Sequence, residues 1–242
     1  MIFWGGLSVE SSPSRRGIEI FDIGRKDRRL YLVTDRGLLK GVDLVGAIAQ
    51  ALEAGVRMVQ LREKDLGSRE LLSLAKSIRE LTMKFDALLL INDRVDIALL
   101  SGADGVHLGQ DGFSPLDARK VLGGKRLIGV SAHGVNEALI AQGEGADFIT
   151  LGPVYPTPSK APYGEPIGAK ALEEVTSKVD LPVYAIGGIK KGLVKEVLEK
   201  GAFGVAVISA VLASEDIGKS AGDIIKEIEG QSFNQRSRYD PD

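Results

Sequence analysis

Four segments of this chain repeat one short plan. EAGVRMVQL (53–61), SGADGVHLG (101–109), EGADFITLG (144–152) and KGAFGVAVI (200–208) each close a helical pattern at a glycine and enter a brief apolar run. The runs are continuous rather than alternating, as parallel strands covered on both faces require. Extended along the chain, the plan predicts strands over 30–34, 56–61, 87–91, 105–108, 126–130, 147–151, 183–186 and 204–208. Between them the apolar spacing predicts helices over 43–54, from a Ser68 N-cap onward, from Val95 to a glycine cap at Gly102, and from Ser114-Pro115 to Leu122. Further helices are predicted over 136–144, 169–178, 191–200 and 218–228. Eight strands alternating with eight helices fit an α/β fold, a single closed (βα)8 TIM barrel with an N-terminal extension. An open doubly wound sheet fits less well, because no Gly-x-Gly-x-x-Gly turn follows the first strand.

This divides the 242 residues into a polar extension (1–28), a barrel (29–229) and a C-terminal tail (230–242) expected to be disordered. Phe3, Trp4 and Phe21 are expected to dock the extension on the body. A long connection, GPVYPTPSKAPYGEPIG, interrupts the pattern after the sixth strand. Its prolines and glycines exclude regular structure, and a loop of this length in a compact domain is usually functional. It is the candidate lid.

The stretch 88–112, LLLINDRVDIALLSGADGVHLGQDG, holds the densest chemistry. Two parallel strands joined by a helix put both strand ends on one rim, where Asp93 and Asp111 could meet. An aspartate after a strand often only caps a helix. Two carboxylates with an amide beside them suit a hard divalent cation, foremost Mg2+ with substrate phosphate completing its shell.

Function in a barrel gathers where the strands end. Arg62, Lys64, Asn92, Asp93, Asp111, Ser131, the 157–160 loop, Gly187-Gly188 and Ile208-Ser209 all fall there. Gly187-Gly188 ahead of a helix and Ser209 after the last strand suit a phosphate. Two aspartates cancel one Mg2+, so a diphosphate bound with it would keep a charge of about −3 unless cations join. Arg62, Lys64 and Lys160 are the cations available. His133 is the candidate general base, whereas His107 lies within a strand and reads as packed interior.

Composition narrows the classes. No cysteine is present, which excludes disulfides, thiolate metal sites and a cysteine nucleophile. Two histidines make a histidine-built zinc site a poor fit. The net charge of −2 gives no electrostatic footprint for nucleic acid. No apolar run reaches membrane length, and the apolar patch in MIFWGGLSVESSPSRRG is too short for a signal peptide. The expectation is a cytoplasmic protein with small-molecule partners, its oligomeric state left open.

Gln60-Leu-Arg-Glu-Lys64, Ile91-Asn-Asp-Arg94, His107-Leu-Gly-Gln-Asp111, Gly129-Val-Ser131, Gly152-Pro-Val-Tyr-Pro-Thr157, Ala185-Ile-Gly-Gly-Ile189 and Ile208-Ser209 together resemble the thiamine phosphate synthase family, in consistent order from about 30 to 212. The resemblance implies a transferase that joins an aminopyrimidine diphosphate to a thiazole phosphate, giving thiamine phosphate and pyrophosphate. It implies that Gln60, Arg62, Lys64, Asn92, Ser131 and Lys160 hold the pyrimidine diphosphate, and that Asp93 and Asp111 hold Mg2+. It further places the thiazole phosphate at Thr157, Ser159, Gly188, Ile208 and Ser209, and carries over Lys64, Lys160 and Ser131 as catalytic residues. GVSAH and GVAVISAV are also similar to the related thiazole tautomerase, an isomerase for which His133 would shuttle a proton. An isomerase acting on a lone phosphate has no need of two metal carboxylates, so Gln60, Asp93, Asp111 and Lys160 favour the synthase.

Overall fold

The computed structural model describes residues 23–157 and 165–230. Eight parallel strands close into a barrel: β1 (Leu30–Val33), β2 (Met58–Leu61), β3 (Leu88–Asn92), β4 (Gly105–Leu108), β5 (Leu127–Ala132), β6 (Phe148–Leu151), β7 (Val183–Ile186) and β8 (Gly204–Val207). The connecting helices are α1 (Leu44–Glu53), α2 (Ser68–Lys84), α3 (Val95–Ser101), α4 (Pro115–Leu122), α5 (Val135–Gly143), α6 (Gly168–Lys178), α7 (Val194–Glu199), α8 (Ser209–Leu212) and α9 (Ile217–Glu229). Single 3₁₀ turns occupy Lys26–Arg28 and Arg36–Leu38. The expected docking of Phe3, Trp4 and Phe21, and most of the expected tail, lie outside the described residues.

Register separates the barrel's inside from its outside. The pairs Tyr31↔Met58, Met58↔Leu88, Leu90↔Gly105, His107↔Gly129, Gly129↔Phe148, Thr150↔Tyr184 and Tyr31↔Ala206 run round the ring on one parity. That parity forms the inner core of Tyr31, Val33, Met58, Leu88, Leu90, Leu127, Phe148, Tyr184 and Ala206, joined by Phe203 from just before β8. The opposite parity packs beneath the helices, with Leu32, Val59, Leu89, Val106, Ile128, Ile149, Ala185 and Val205 in the larger cluster. Both faces of the strands are thereby buried, which is why their sequences lack alternation.

The inner core is an aromatic plug. Phe148 and Tyr184 meet edge to face at 5.5 Å, as do Tyr184 and Phe203 at 5.4 Å and Tyr31 and Phe148 at 5.7 Å, a geometry aromatic quadrupoles favour. Glycine makes room for it. A Cβ on Gly129 would overlap the Phe148 ring and stand 2.7 Å from His107 Nδ1.

Several helix ends follow the sequence reading. Ser114 caps α4 by accepting from the Asp117 amide, with Pro115 in the first turn, and Gly102 closes α3 at φ +69°. Others correct it. The N-cap of α2 is Gly67; Ser68 is the first helical residue, and its hydroxyl accepts from Arg94 at 3.0 Å. The helix expected from 191 begins at Val194. The short helix α8 was not expected, because four residues cannot display a 3.6-residue period.

Candidate active site

The mouth is built on the segments leaving β1 to β8. After β1, Thr34 is fully buried, and its Oγ1 accepts from the Arg62 amide at 2.8 Å. Glu63 is buried next to it and accepts from the Arg36 amide at 3.2 Å and from its guanidinium at 3.0 Å. Arg36 continues to Asp65 at 2.7 Å, and the two acidic partners hold its proton well above the ordinary arginine range. This clamp fixes the path of the segment that carries Arg62 and Lys64. Neither the clamp nor Thr34 was singled out from the sequence, since a buried acid between two basic residues reads there as surface charge.

Gln60 faces inward, paired in register with Val33 and Leu90. It is 3 % exposed, and its side chain lies against the buried Tyr31 hydroxyl.

His107 is sealed within the interior. Its Nε2 lies 3.1 Å from Ser131 Oγ and 3.3 Å from Thr150 Oγ1, and its Nδ1 lies 3.4 Å from the Tyr31 hydroxyl. Burial, with the nearby Arg62 charge adding to it, pushes the imidazole down to about 3. His107 is therefore a neutral ring that orients hydroxyls, as its place in a strand suggested. Thr150 escaped the sequence reading, although a polar residue on the inward parity of an apolar strand marks it.

Asn92 ends β3, and its Nδ2 donates to Asp93 Oδ2 at 2.7 Å. Asp93 adopts φ +57°, uncommon outside glycine and a mark of a conformation held by its surroundings. The surroundings are the next strand's loop. Gly109 donates its amide to Asp93 Oδ1 at 2.6 Å, and the turn closes through Gly112 N to Gly109 O at 3.1 Å. A Cβ on Gly112 would stand 2.9 Å from Asp93 Oδ1. The turn bearing Asp111 thus curls over the Asp93 carboxylate, and the two acids share one corner of the mouth. Each oxygen of Asp93 retains a lone pair beyond these bonds. Carboxylate and amide oxygens of this kind fit a hard divalent cation. Among the described residues no group of three or more metal-binding side chains occurs, so such an ion would draw further ligands from substrate or water.

Gln110, another residue the sequence reading passed over, donates to Ser131 O at 2.6 Å and to Glu137 at 3.0 Å, tying the β4 loop to β5 and α5. Glu137 also accepts from the His133 amide at 2.8 Å and lies 3.1 Å from its Nδ1. His133, the candidate general base, is thus held by a carboxylate in the first turn of α5, on the exposed rim.

Across the mouth, the segment after β6 straps onto β7: Val154 donates to Ile186 O at 2.8 Å and Tyr155 to Gly187 O at 3.1 Å. Gly188 sits at φ +67°, where a Cβ would come within 2.7 Å of Pro156 O. The strap so brings Thr157 to the Gly188 side. Ile208 follows the inward parity of Gly204 and Ala206, and Ser209 opens α8. First-turn amides of a helix have no partner within it. The helix expected from 191, after Gly187-Gly188, starts at Val194, and α8 opens directly on β8. Ser159 and Lys160 lie outside the described residues.

A closed parallel barrel whose mouth gathers the Asp93 carboxylate under the Asp111 turn at one corner and the Gly188 strap at another defines the class, a TIM-barrel enzyme of small molecules. Residues 30–211 match the family model described as thiamine monophosphate synthase. The chain belongs to that family. A relative from Geobacter sulfurreducens is 56% identical over 194 residues, 80% of this chain and 91% of its own. A thiamine-phosphate synthase from Clostridium novyi is 46% identical over 189 residues, 78% of this chain and 93% of that one. Among solved structures, a thiamine phosphate pyrophosphorylase from Pyrococcus furiosus superposes with a TM-score of 0.78 at 38% identity, covering 85% of this chain and 97% of that one.

Proposed function

We propose that this chain joins 4-amino-2-methyl-5-(diphosphooxymethyl)pyrimidine to 4-methyl-5-(2-phosphooxyethyl)thiazole, releasing pyrophosphate and giving thiamine phosphate. Family membership with its relatives carries the reaction. The corner at Asp93, under the turn that bears Asp111, carries the view of where the diphosphate sits.

Asp93 and Asp111 would hold Mg2+, which when bound offsets negative charge on the departing pyrophosphate. The rest falls to the chain's own groups. Arg62 and Lys64 face the same diphosphate, Lys160 joins them from the long loop, and preorganised cations stabilise charge as it grows on the leaving oxygen. The bond between the methylene carbon and oxygen breaks with its electron pair leaving on pyrophosphate, and the aminopyrimidine ring carries the resulting positive charge. Gln60, Asn92 and Ser131 orient the ring, Ser131 itself steadied by neutral His107. The thiazole nitrogen then donates its lone pair to the methylene carbon. Its phosphate, held by Thr157, Ser159, Gly188, Ile208 and Ser209, supplies the placement that makes attack effectively unimolecular. No strong base is needed, in keeping with His133 being engaged by Glu137.

The test is an assay of the purified chain with both substrates, with and without Mg2+, following thiamine phosphate and pyrophosphate. Equal amounts of both, lost on chelation and restored by Mg2+, are expected. Turnover indifferent to chelation overturns the metal assignment, and absence of thiamine phosphate overturns the reaction.

A further inference from the structure

Eight large apolar side chains stand exposed among the described residues, and seven of them fall on one side of the barrel. Leu99 and Leu100 lie on α3, Leu116 and Val121 on α4, and Leu139 and Ile140 on α5. Phe113, 63% exposed in the segment before α4, extends the patch to the mouth, two residues from Asp111. Other helices carry charge outward: Arg69, Lys76 and Glu80 on α2, Lys170, Glu173 and Glu174 on α6, Lys219 and Lys226 on α9. The contrast lies between neighbouring helices of one ring, so it is not a general property of this surface.

At their observed exposures the seven side chains present roughly 600 Å² of apolar surface, at the upper end of what a lone monomer shows. The polar residues between them bring the face close to the ~800 Å² per partner that a stable interface uses. Its charges are also settled internally. Lys120 pairs with Asp117 at 2.8 Å and Arg94 with Asp96 at 2.6 Å. A two-fold interface sets a face against itself, so unpaired charge would meet like charge; paired charge does not.

From these observations we infer that the α3–α4–α5 face binds a second copy of this chain about a two-fold axis. The pairing covers Phe113 and so anchors, in each copy, the turn that curls over Asp93. The inference does not depend on the reaction proposed above.

Sedimentation of the full chain tests it. The expected species at micromolar concentration has about twice the 25.8 kDa of one chain. Leu116→Lys combined with Val121→Lys, on the central helix α4, should weaken association at least about 100-fold, as charge buried unpaired at the centre of an interface does. Ser73→Lys, on the polar outer face of α2, should leave it unchanged. Circular dichroism of each variant separates lost pairing from lost fold. A wild-type monomer at tens of micromolar, a dimer indifferent to the double substitution, or a ring of three or more copies would each overturn the inference.

Discussion

The amide of Gly109 donates to the Asp93 carboxylate across 2.6 Å, joining the ends of two neighbouring strands at the mouth. That bond sets the aim of a carboxylate whose own backbone sits at φ +57°. Asp93→Ala should therefore remove Mg2+-dependent turnover, by at least about 100-fold in kcat, while leaving the thermal midpoint little changed. A rate within a few fold of wild type would dismiss the metal role.

Gly112 offers a finer probe of the same corner. A methyl group there would stand 2.9 Å from Asp93 Oδ1 and push the turn aside. Gly112→Ala should raise the Mg2+ concentration giving half-maximal rate by about 10-fold, the usual scale for disturbing groups that orient a metal ligand. Titrating Mg2+ against initial rate reads this directly.

Stability should depend on pH through His107. Folded, the imidazole takes up no proton until about 3, whereas unfolded it does so near 6.5. Between these values the unfolded chain binds more protons, so stability is intact above 6.5 and falls as pH drops, by up to about 1.4 kcal/mol per unit. Urea unfolding at pH 6.5 and 5.0 should show the loss, and His107→Gln should flatten the slope. An identical slope in that variant would assign the effect to other groups.

Glu63 and Arg36 make the clamp behind Arg62 and Lys64 a fourth test. Glu63→Gln should raise KM for the pyrimidine diphosphate about 10-fold, because a charge-assisted bond worth roughly 1.5–3 kcal/mol is weakened. KM for the thiazole phosphate should stay near its wild-type value. Equal increases in both would mean a general loosening of the mouth.

His133→Ala should change turnover less than about 3-fold, since an exposed rim contact to Glu137 and not proton transfer is removed. Steady-state rates suffice to check it.

The barrel could be read from the chain because parallel strands covered on both faces leave an unmistakable record: uninterrupted apolar runs entered through glycine. The Ser114 cap and the Gly102 stop were equally plain, each being a local rule satisfied locally. What stayed hidden depended on partners far away in sequence. Glu63 is bonded by a residue 27 positions earlier, and Gln110 acts through Ser131 and Glu137 in the following βα unit. That Asp93 and the turn bearing Asp111 fall on one rim was legible because topology alone brings successive strand ends together. Helix α8 left no trace, being shorter than the period that betrays a helix.

The interlocked rings of Tyr31, Phe148, Tyr184 and Phe203, set edge to face, stopper the barrel from below. Whatever is admitted from above has no back exit. Pyrophosphate and the newly joined cation must then depart through the same doorway in sequence, so the order of departure becomes a property of the surrounding loops and not of the chemistry beneath them.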